Sequence, residues 1–334
     1  MDSRLLGDNF KVSALSYGAM GLSEFYGPAL PEADALAVLG RVVELGATMI
    51  DTADMYGRGQ NEELIGRFLK SRRAGAETGE LNIATKFGLE RSVNDSYKRR
   101  INNSPEYIRR ACEASLKRLG VERIDLYYAH RLDPAADLSE TISTLAALVR
   151  EGKIGHIGLC EVSAATLRAA QAIHPIAAVQ SEYSLWTREP ESSILPVCRE
   201  LGVGFVAYSP LGRGFLSGRL KNVEELASND FRRSNPRFQD DNLKRNLDLL
   251  PELEAVAREL AATPAQTALA WLLGRDARLA AIPGTRNLTR LEENMGAAGL
   301  VLSDEQNSRL EKAFRPESIL GERYTPEGMK GLGV

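Results

Sequence analysis

Four side chains of this sequence are of the types that together move a proton onto an oxygen: Asp51, Tyr56, Lys86 and His130. Asp51 ends the apolar run ATMID, and Tyr56 follows five residues later in DTADMYG. Lys86 closes LNIATK and His130 closes RIDLYYAH. A phenol, with a pKa near ~10, carries its proton at neutral pH but releases it reluctantly. A neighbouring ammonium stabilises phenolate and makes the proton easier to give. A carboxylate holds that lysine charged and oriented, and an imidazole beside the phenol can donate a hydrogen bond to a carbonyl oxygen. Taken singly, each residue has a bland explanation: a helix cap, a surface aromatic, a rim lysine, a structural histidine. Jointly they do not, because burying lysine and aspartate near one another is costly without a purpose. Such a quartet suits protonation of an alkoxide as it forms.

Something must bring the four together. Apolar strand-like runs at 15–19, 48–51, 82–86, 124–128, 154–159, 177–180, 204–208 and 280–282 alternate with amphipathic runs. The latter fall at 31–45, 61–70, 105–119, 138–150, 164–172, 193–201, 252–260 and 288–297. Ser104-Pro105 and Thr263-Pro264 put a capping hydroxyl before proline at the first helical position. Gly46, Gly120, Gly152 and Gly202 stand where helices end. Strict alternation with nearly continuous apolar strands indicates a parallel sheet covered by helices, and eight units favour a closed (β/α)₈ TIM barrel. Active residues then belong at the C-terminal ends of the strands, where Asp51, Lys86 and His130 stand, with Tyr56 in the following loop. Two segments depart from the pattern. Residues 5–12 form a short hairpin closing the bottom, and 209–246 is too long for a simple connection and reads as a functional or mobile loop. With no repeat, low-complexity tract or linker, residues 1–334 read as a single barrel domain.

The totals exclude several classes. The chain is 43% hydrophobic and 26% charged, as expected of a globular protein, and its net charge of -3 offers no electrostatic footprint for nucleic acid or an anionic membrane. No run of about 18 apolar residues spans a bilayer, and the N-terminus lacks an apolar signal core. Cys112, Cys160 and Cys198 read as reduced, buried thiols of a cytoplasmic protein. His130, His156 and His174 make no metal spacing, so no metal is expected.

The stretches DTADMYG, ATKFG, YYAHRLDP, GKIGHIGL, AAVQSEYSL, VAYSPLGRGFLSG and IPGTRNLTRLEEN, in this order across nearly the whole chain, resemble the aldo-keto reductases. LGRGFLSG and IPGT resemble the branch that includes pyridoxal reductases and plant alkaloid aldehyde reductases. The resemblance implies NADPH-dependent reduction of an aldehyde or ketone, with Tyr56 as general acid, Lys86 and Asp51 tuning it, and His130 orienting the carbonyl. It implies that Tyr208 stacks on nicotinamide and that Cys160 and Gln180 lie at the carboxamide. Ser209, Leu211 and Gly212 would follow the pyrophosphate, and Gly214 belongs to an arm crossing the cofactor. Gly284, Thr285, Arg286, Arg290, Glu293 and Asn294 would hold the adenosine end. Two positions depart from many members: Cys160-Glu161 replaces Ser-Asn or Ser-Glu, and a thiol is the poorer hydrogen-bond partner. Gly284 replaces a lysine, for which Arg286 offers a cation.

A 2′-phosphate favours bidentate guanidinium groups, and Arg286 and Arg290 supply two within five positions. Their other reading is a pair of solvated surface arginines. Gly212-Arg-Gly-Phe-Leu-Ser-Gly218 mimics a dinucleotide fingerprint with one residue too many and no closing acid. Tyr26, Met55, Tyr128 and Trp186 flank strand ends as pocket walls, or as ordinary packing. Residues 231–246, with Arg232, Arg233 and Arg237, either close over the ligand or form an exposed face or subunit contact. Two rival functions are a lyase using Lys86 as a Schiff base, which Asp51 opposes by keeping the amine protonated, and a non-catalytic NADPH-binding redox sensor.

Overall fold

The computed structural model describes residues 2–75, 79–92 and 99–334, apart from the side chain of Asp240. A hairpin of β1 (Ser3–Leu6) and β2 (Phe10–Ser13) comes first. The parallel sheet then runs through β3 (Tyr17–Gly18), β4 (Met49–Asp51) and β5 (Asn82–Phe87). A second hairpin, β6 (Leu89–Arg91) with β7 (Arg99–Ile101), interrupts it and was not foreseen. The sheet continues with β8 (Ile124–Ala129), β9 (Ile154–Cys160), β10 (Ala178–Glu182), β11 (Gly204–Tyr208) and β12 (Leu279–Ala281). Ser16 N donates to Ala281 O at 2.9 Å and Ala281 N to Ala14 O at 2.9 Å, so the last strand meets the first and the TIM barrel closes.

Around it stand α1 (Glu32–Glu44), α2 (Gln60–Ala74), α3 (Pro105–Leu119), α4 (Leu138–Arg150), α5 (Ala164–Ile173) and α6 (Leu195–Leu201). They are followed by α7 (Asp240–Leu247), α8 (Leu250–Glu259), α9 (Pro264–Leu273), α10 (Leu288–Met295) and α11 (Asp304–Ala313). Thr263 makes the full capping box with Gln266. Ser104 does not cap as expected: its hydroxyl is hydrogen-bonded to Asn102 Oδ1 at 2.9 Å, leaving Pro105 alone to start α3. The four glycines placed at helix ends all have positive φ, from +63° to +87°.

Strand periodicity positions the site. In β5, Ile83 and Phe87 face the helices while Ala84 and Lys86 face the barrel interior. The same alternation sends Met49 and Asp51, Leu126 and Tyr128, Ala178 and Gln180, and Val206 and Tyr208 inward. Leu6, Phe10 and Val12 of the first hairpin fill the lower end, as expected of residues 5–12. The apolar layers thus stop below the C-terminal mouth, and the next inward positions are the polar ones. No helix among the described residues is long and apolar enough to cross a membrane.

Candidate active site

Asp51 ends β4 and Lys86 occupies the penultimate position of β5, two strands that pair directly. Lys86 Nζ donates to Asp51 Oδ1, and to Thr52 O at 2.7 Å, with both side chains essentially inaccessible. Gln180 Nε2 donates to the other Asp51 oxygen at 2.8 Å. Burial alone would lower the Lys86 pKa, but the Asp51 carboxylate and the Tyr56 phenol outweigh it, so the amine stays an ammonium. Removing one partner of such a buried pair strands a charge, at a cost of about 3–5 kcal/mol.

Tyr56 follows in a turn anchored from below. Thr52 Oγ1 donates to Asn61 Oδ1 at 2.6 Å, and Asn61 Nδ2 donates to Ala19 O at 2.9 Å and to Ser23 Oγ at 2.7 Å. The start of α2 therefore holds the DTADMY turn in place. The Tyr56 ring is 5.1 Å from Lys86 Nζ and meets the His130 ring edge-on at 5.9 Å. Burial pushes the phenol up to about 12, with Lys86 pulling against it and Asp51 with it. The easing by lysine expected of the sequence is thus present but smaller than the effect of burial. His130 is kept well below the usual imidazole range, by burial first and then by the charges of Lys86, Arg131 and Arg99. Its Nδ1 is buried without a partner among the described residues. The result is a neutral imidazole and a proton-bearing phenol at one mouth.

The residues expected along a cofactor surround this quartet unevenly. Gln180 is paired in register with Cys160, beside the site, but its amide nitrogen is already given to Asp51. Cys160 is buried and its thiol is pushed up to about 12, mainly by burial. Tyr208 is half-buried at the end of β11, with its hydroxyl donating to Glu161 Oε1 and sharing a bond with Tyr324 Oη, both at 2.8 Å. Ser209 O accepts from Gly212 N at 2.8 Å and Leu211 O from Gly214 N at 3.0 Å, so the following loop folds back on itself. A Cβ at Gly212 would stand 2.7 Å from Trp186, at a φ of +54°.

At the last strand, a Cβ at Gly284 would lie 2.6 Å from the Gly18 carbonyl, so this backbone leaves no room for a lysine there. Thr285 O accepts from Tyr17 Oη at 2.6 Å, and Asn294 is buried. Arg286 spends Nη1 on Tyr26 O and Pro28 O, at 3.1 and 2.9 Å. Glu293 accepts from Arg219 Nη2 at 2.6 Å, tying the arm to α10. The Arg290 guanidinium is exposed and has no acceptor among the described residues. Of the expected pocket walls, Met55 packs with Ala53 and Tyr56, near Phe25 and Met20. Tyr26 lies under Arg232, at 5.2 Å. Tyr128 is fully buried in the barrel interior and forms the floor. Trp186 is also fully buried, stacked on Phe215 at 3.9 Å, and supports the loop from beneath rather than facing the mouth.

Several residues here were not foreseen. Glu161, at φ +54°, accepts a bidentate pair from Arg323 at 2.9 Å on each oxygen. Gly333 N donates to Glu161 O at 2.8 Å, so the C-terminal tail lies across the mouth. Arg213 is buried against Glu182, at 2.7 Å. Glu182 carried a usable signal, since it is two residues beyond Gln180 and shares its inward parity.

The sequence profile of the aldo/keto reductase family matches residues 14–315. A "probable aldo-keto reductase 1" of Glycine max is 45% identical over 316 residues, covering 94% of this chain and 89% of that protein. A glycerol dehydrogenase of Gluconobacter oxydans superposes with a TM-score of 0.85 at 26% identity, covering 94% of this chain and 96% of that one. The holo form of an aldo-keto reductase of Bacillus halodurans gives a TM-score of 0.77 at 27% identity, over 95% and 97% of the two chains. Enzymes of this kind are oxidoreductases that reduce small carbonyl compounds with a nicotinamide cofactor. By its profile, its barrel and its close relative, the chain belongs to the aldo-keto reductase family.

Proposed function

We propose that this protein reduces an aldehyde or ketone to the alcohol with NADPH, and that Tyr56 supplies the proton. The observation that carries this reading is the contact of Tyr56 with both Lys86 and His130 at a mouth where the phenol keeps its proton. His130, neutral and with a buried nitrogen free, can orient a carbonyl oxygen by a hydrogen bond without adding charge. Tyr56 then delivers its proton to that oxygen as negative charge develops. The ammonium of Lys86 stabilises the phenolate left behind, and Asp51 prevents the lysine from surrendering its own charge. That same grip opposes Schiff-base chemistry at Lys86.

The residues fit a nicotinamide cofactor. The Tyr208 ring is fixed by two hydrogen bonds through its hydroxyl, which suits it to stacking. When bound, the reduced nicotinamide supplies a hydride to the carbonyl carbon. Preference for NADPH is supported by Arg290, a guanidinium on α10 with no acceptor of its own among the described residues. The buried free thiols of Cys112, Cys160 and Cys198 suit a reducing, cytoplasmic setting. Residues 1–334 are read as one barrel domain.

A screen of NADPH consumption across pyridoxal, aromatic aldehydes, methylglyoxal and simple ketones tests this function. Turnover of at least one class is expected. Tight NADPH binding with no consumption by any carbonyl compound would instead indicate a redox sensor.

A further inference from the structure

Arg213 is buried at the barrel mouth, and only one of its arms is satisfied among the described residues. Nη2 donates to Glu182 Oε2 at 2.7 Å, whereas Nη1 is buried with no partner among the described residues. A guanidinium is the least suitable group to leave half-bonded out of water, since it cannot shed its charge. No acceptor among the described residues reaches Nη1; the guanidinium instead lies over aromatic faces, its carbon 4.7 Å from the Tyr324 ring and 5.7 Å from that of Phe231.

Those rings lead back to the reacting centre. Phe231 meets Phe25 edge-on at 6.5 Å, and Phe25 meets Tyr56 edge-on at 6.4 Å. An apolar wall therefore runs from the proton donor to Arg213. The carboxylates near this wall are already engaged, Glu182 by Arg213 and Glu161 by Arg323. Arg131, next to His130, adds a further cation whose charge acts on the Tyr208, Glu161 and Tyr324 neighbourhood. Its Nη1 donates to the His130 carbonyl at 2.6 Å. Among the described residues arginines outnumber carboxylates here, and one N–H lacks an acceptor.

Resting on the reading of Tyr56 as proton donor, we propose that the substrate is an acidic carbonyl compound whose anionic group is received by Nη1 of Arg213. Its carbonyl lies at Tyr56 and His130, its body runs along Phe25 and Phe231, and its carboxylate or phosphate accepts from the buried guanidinium. Arg213 acts on specificity and takes no part in proton or hydride transfer.

The test compares para-carboxybenzaldehyde with its methyl ester, which differ in charge but not in the reacting group. Wild-type kcat/KM is expected to favour the acid at least about tenfold. Arg213→Lys keeps a cation for Glu182 but loses the second arm, and it should cut kcat/KM for the acid by roughly 10- to 100-fold, collapsing the preference. Calorimetric titration of benzoate into the NADPH-loaded protein reads the subsite without turnover, and it should show the same loss in the variant. No acid preference in the wild type, or an equal loss on acid and ester, overturns the proposal. So does a loss confined to NADPH affinity, which would assign Nη1 to a cofactor phosphate. Benzoate binding lost in Arg213→Lys, but with neither aldehyde reduced by the wild type, would keep the anion subsite and refute the reductase reading.

Discussion

Lys86 Nζ stands 5.1 Å from the centroid of the Tyr56 ring while giving its hydrogens to Asp51 and to the carbonyl of Thr52. The ammonium is held from one side and lies against the phenol on the other. Burial nevertheless dominates, and the phenol sits at about 12. The proton is therefore present throughout the neutral range, and the lysine matters most once the proton has gone.

A pH profile follows from this arrangement. Because His130 is neutral far below its ordinary range, kcat/KM for a neutral aldehyde should be level between about pH 6 and pH 9. It should fall only at alkaline pH, as Tyr56 loses its proton. A limb near the ordinary imidazole pKa of about 6.5 would show that His130 titrates in the free enzyme.

Arg290→Ala tests the cofactor preference. The variant should weaken NADPH binding by roughly tenfold or more and leave NADH binding nearly unchanged, because only the former carries a phosphate for the guanidinium. Fluorescence titration with each cofactor measures both. Equal effects would remove Arg290 from any phosphate contact.

The tail offers a third test. Arg323→Ala leaves buried Glu161 without its ion-pair partner, and a loss of about 3 kcal/mol is expected in urea unfolding. Since Glu161 also holds the Tyr208 hydroxyl, NADPH affinity should fall with it. Unchanged stability and affinity would mean that the tail is a passive cover.

Asp54 supplies a stability prediction with a sign opposite to most carboxylates. Burial, then Glu62, pushes its carboxyl up to about 8 in the folded protein, and Oδ1 is buried without a partner among the described residues. Unfolded, the group titrates near ~3.9, so between these values the native state holds a proton that the unfolded state has lost. Stability from this group is therefore full at low pH and is lost as pH rises towards 8. Asp54→Asn abolishes that dependence. The melting temperature of the variant relative to wild type should rise between about pH 5 and pH 8, and a constant difference would contradict the assignment.

Much of the site is legible in the sequence because strand parity is. Once ATMID and LNIATK are read as inward-alternating strands, Asp51 and Lys86 must meet at one end of the barrel. The Thr263 capping box is local and equally readable. The Glu161–Arg323 pair is not, because it joins positions 162 apart through a tail with no periodic pattern. Arg213 stayed hidden for a related reason: its loop turns at φ +56°, and only the folded chain shows which way the guanidinium points. Even the balance between burial and Lys86 at Tyr56 depends on how deeply the phenol is enclosed, which residue types do not state.

The most direct test of the central claim is single-turnover reduction by Tyr56→Phe with NADPH bound. Only the phenolic hydroxyl is removed, so NADPH affinity should stay close to wild type while the rate falls by roughly 10²- to 10⁴-fold. A Phe variant that binds NADPH normally and retains most of the rate would contradict Tyr56 as the proton donor.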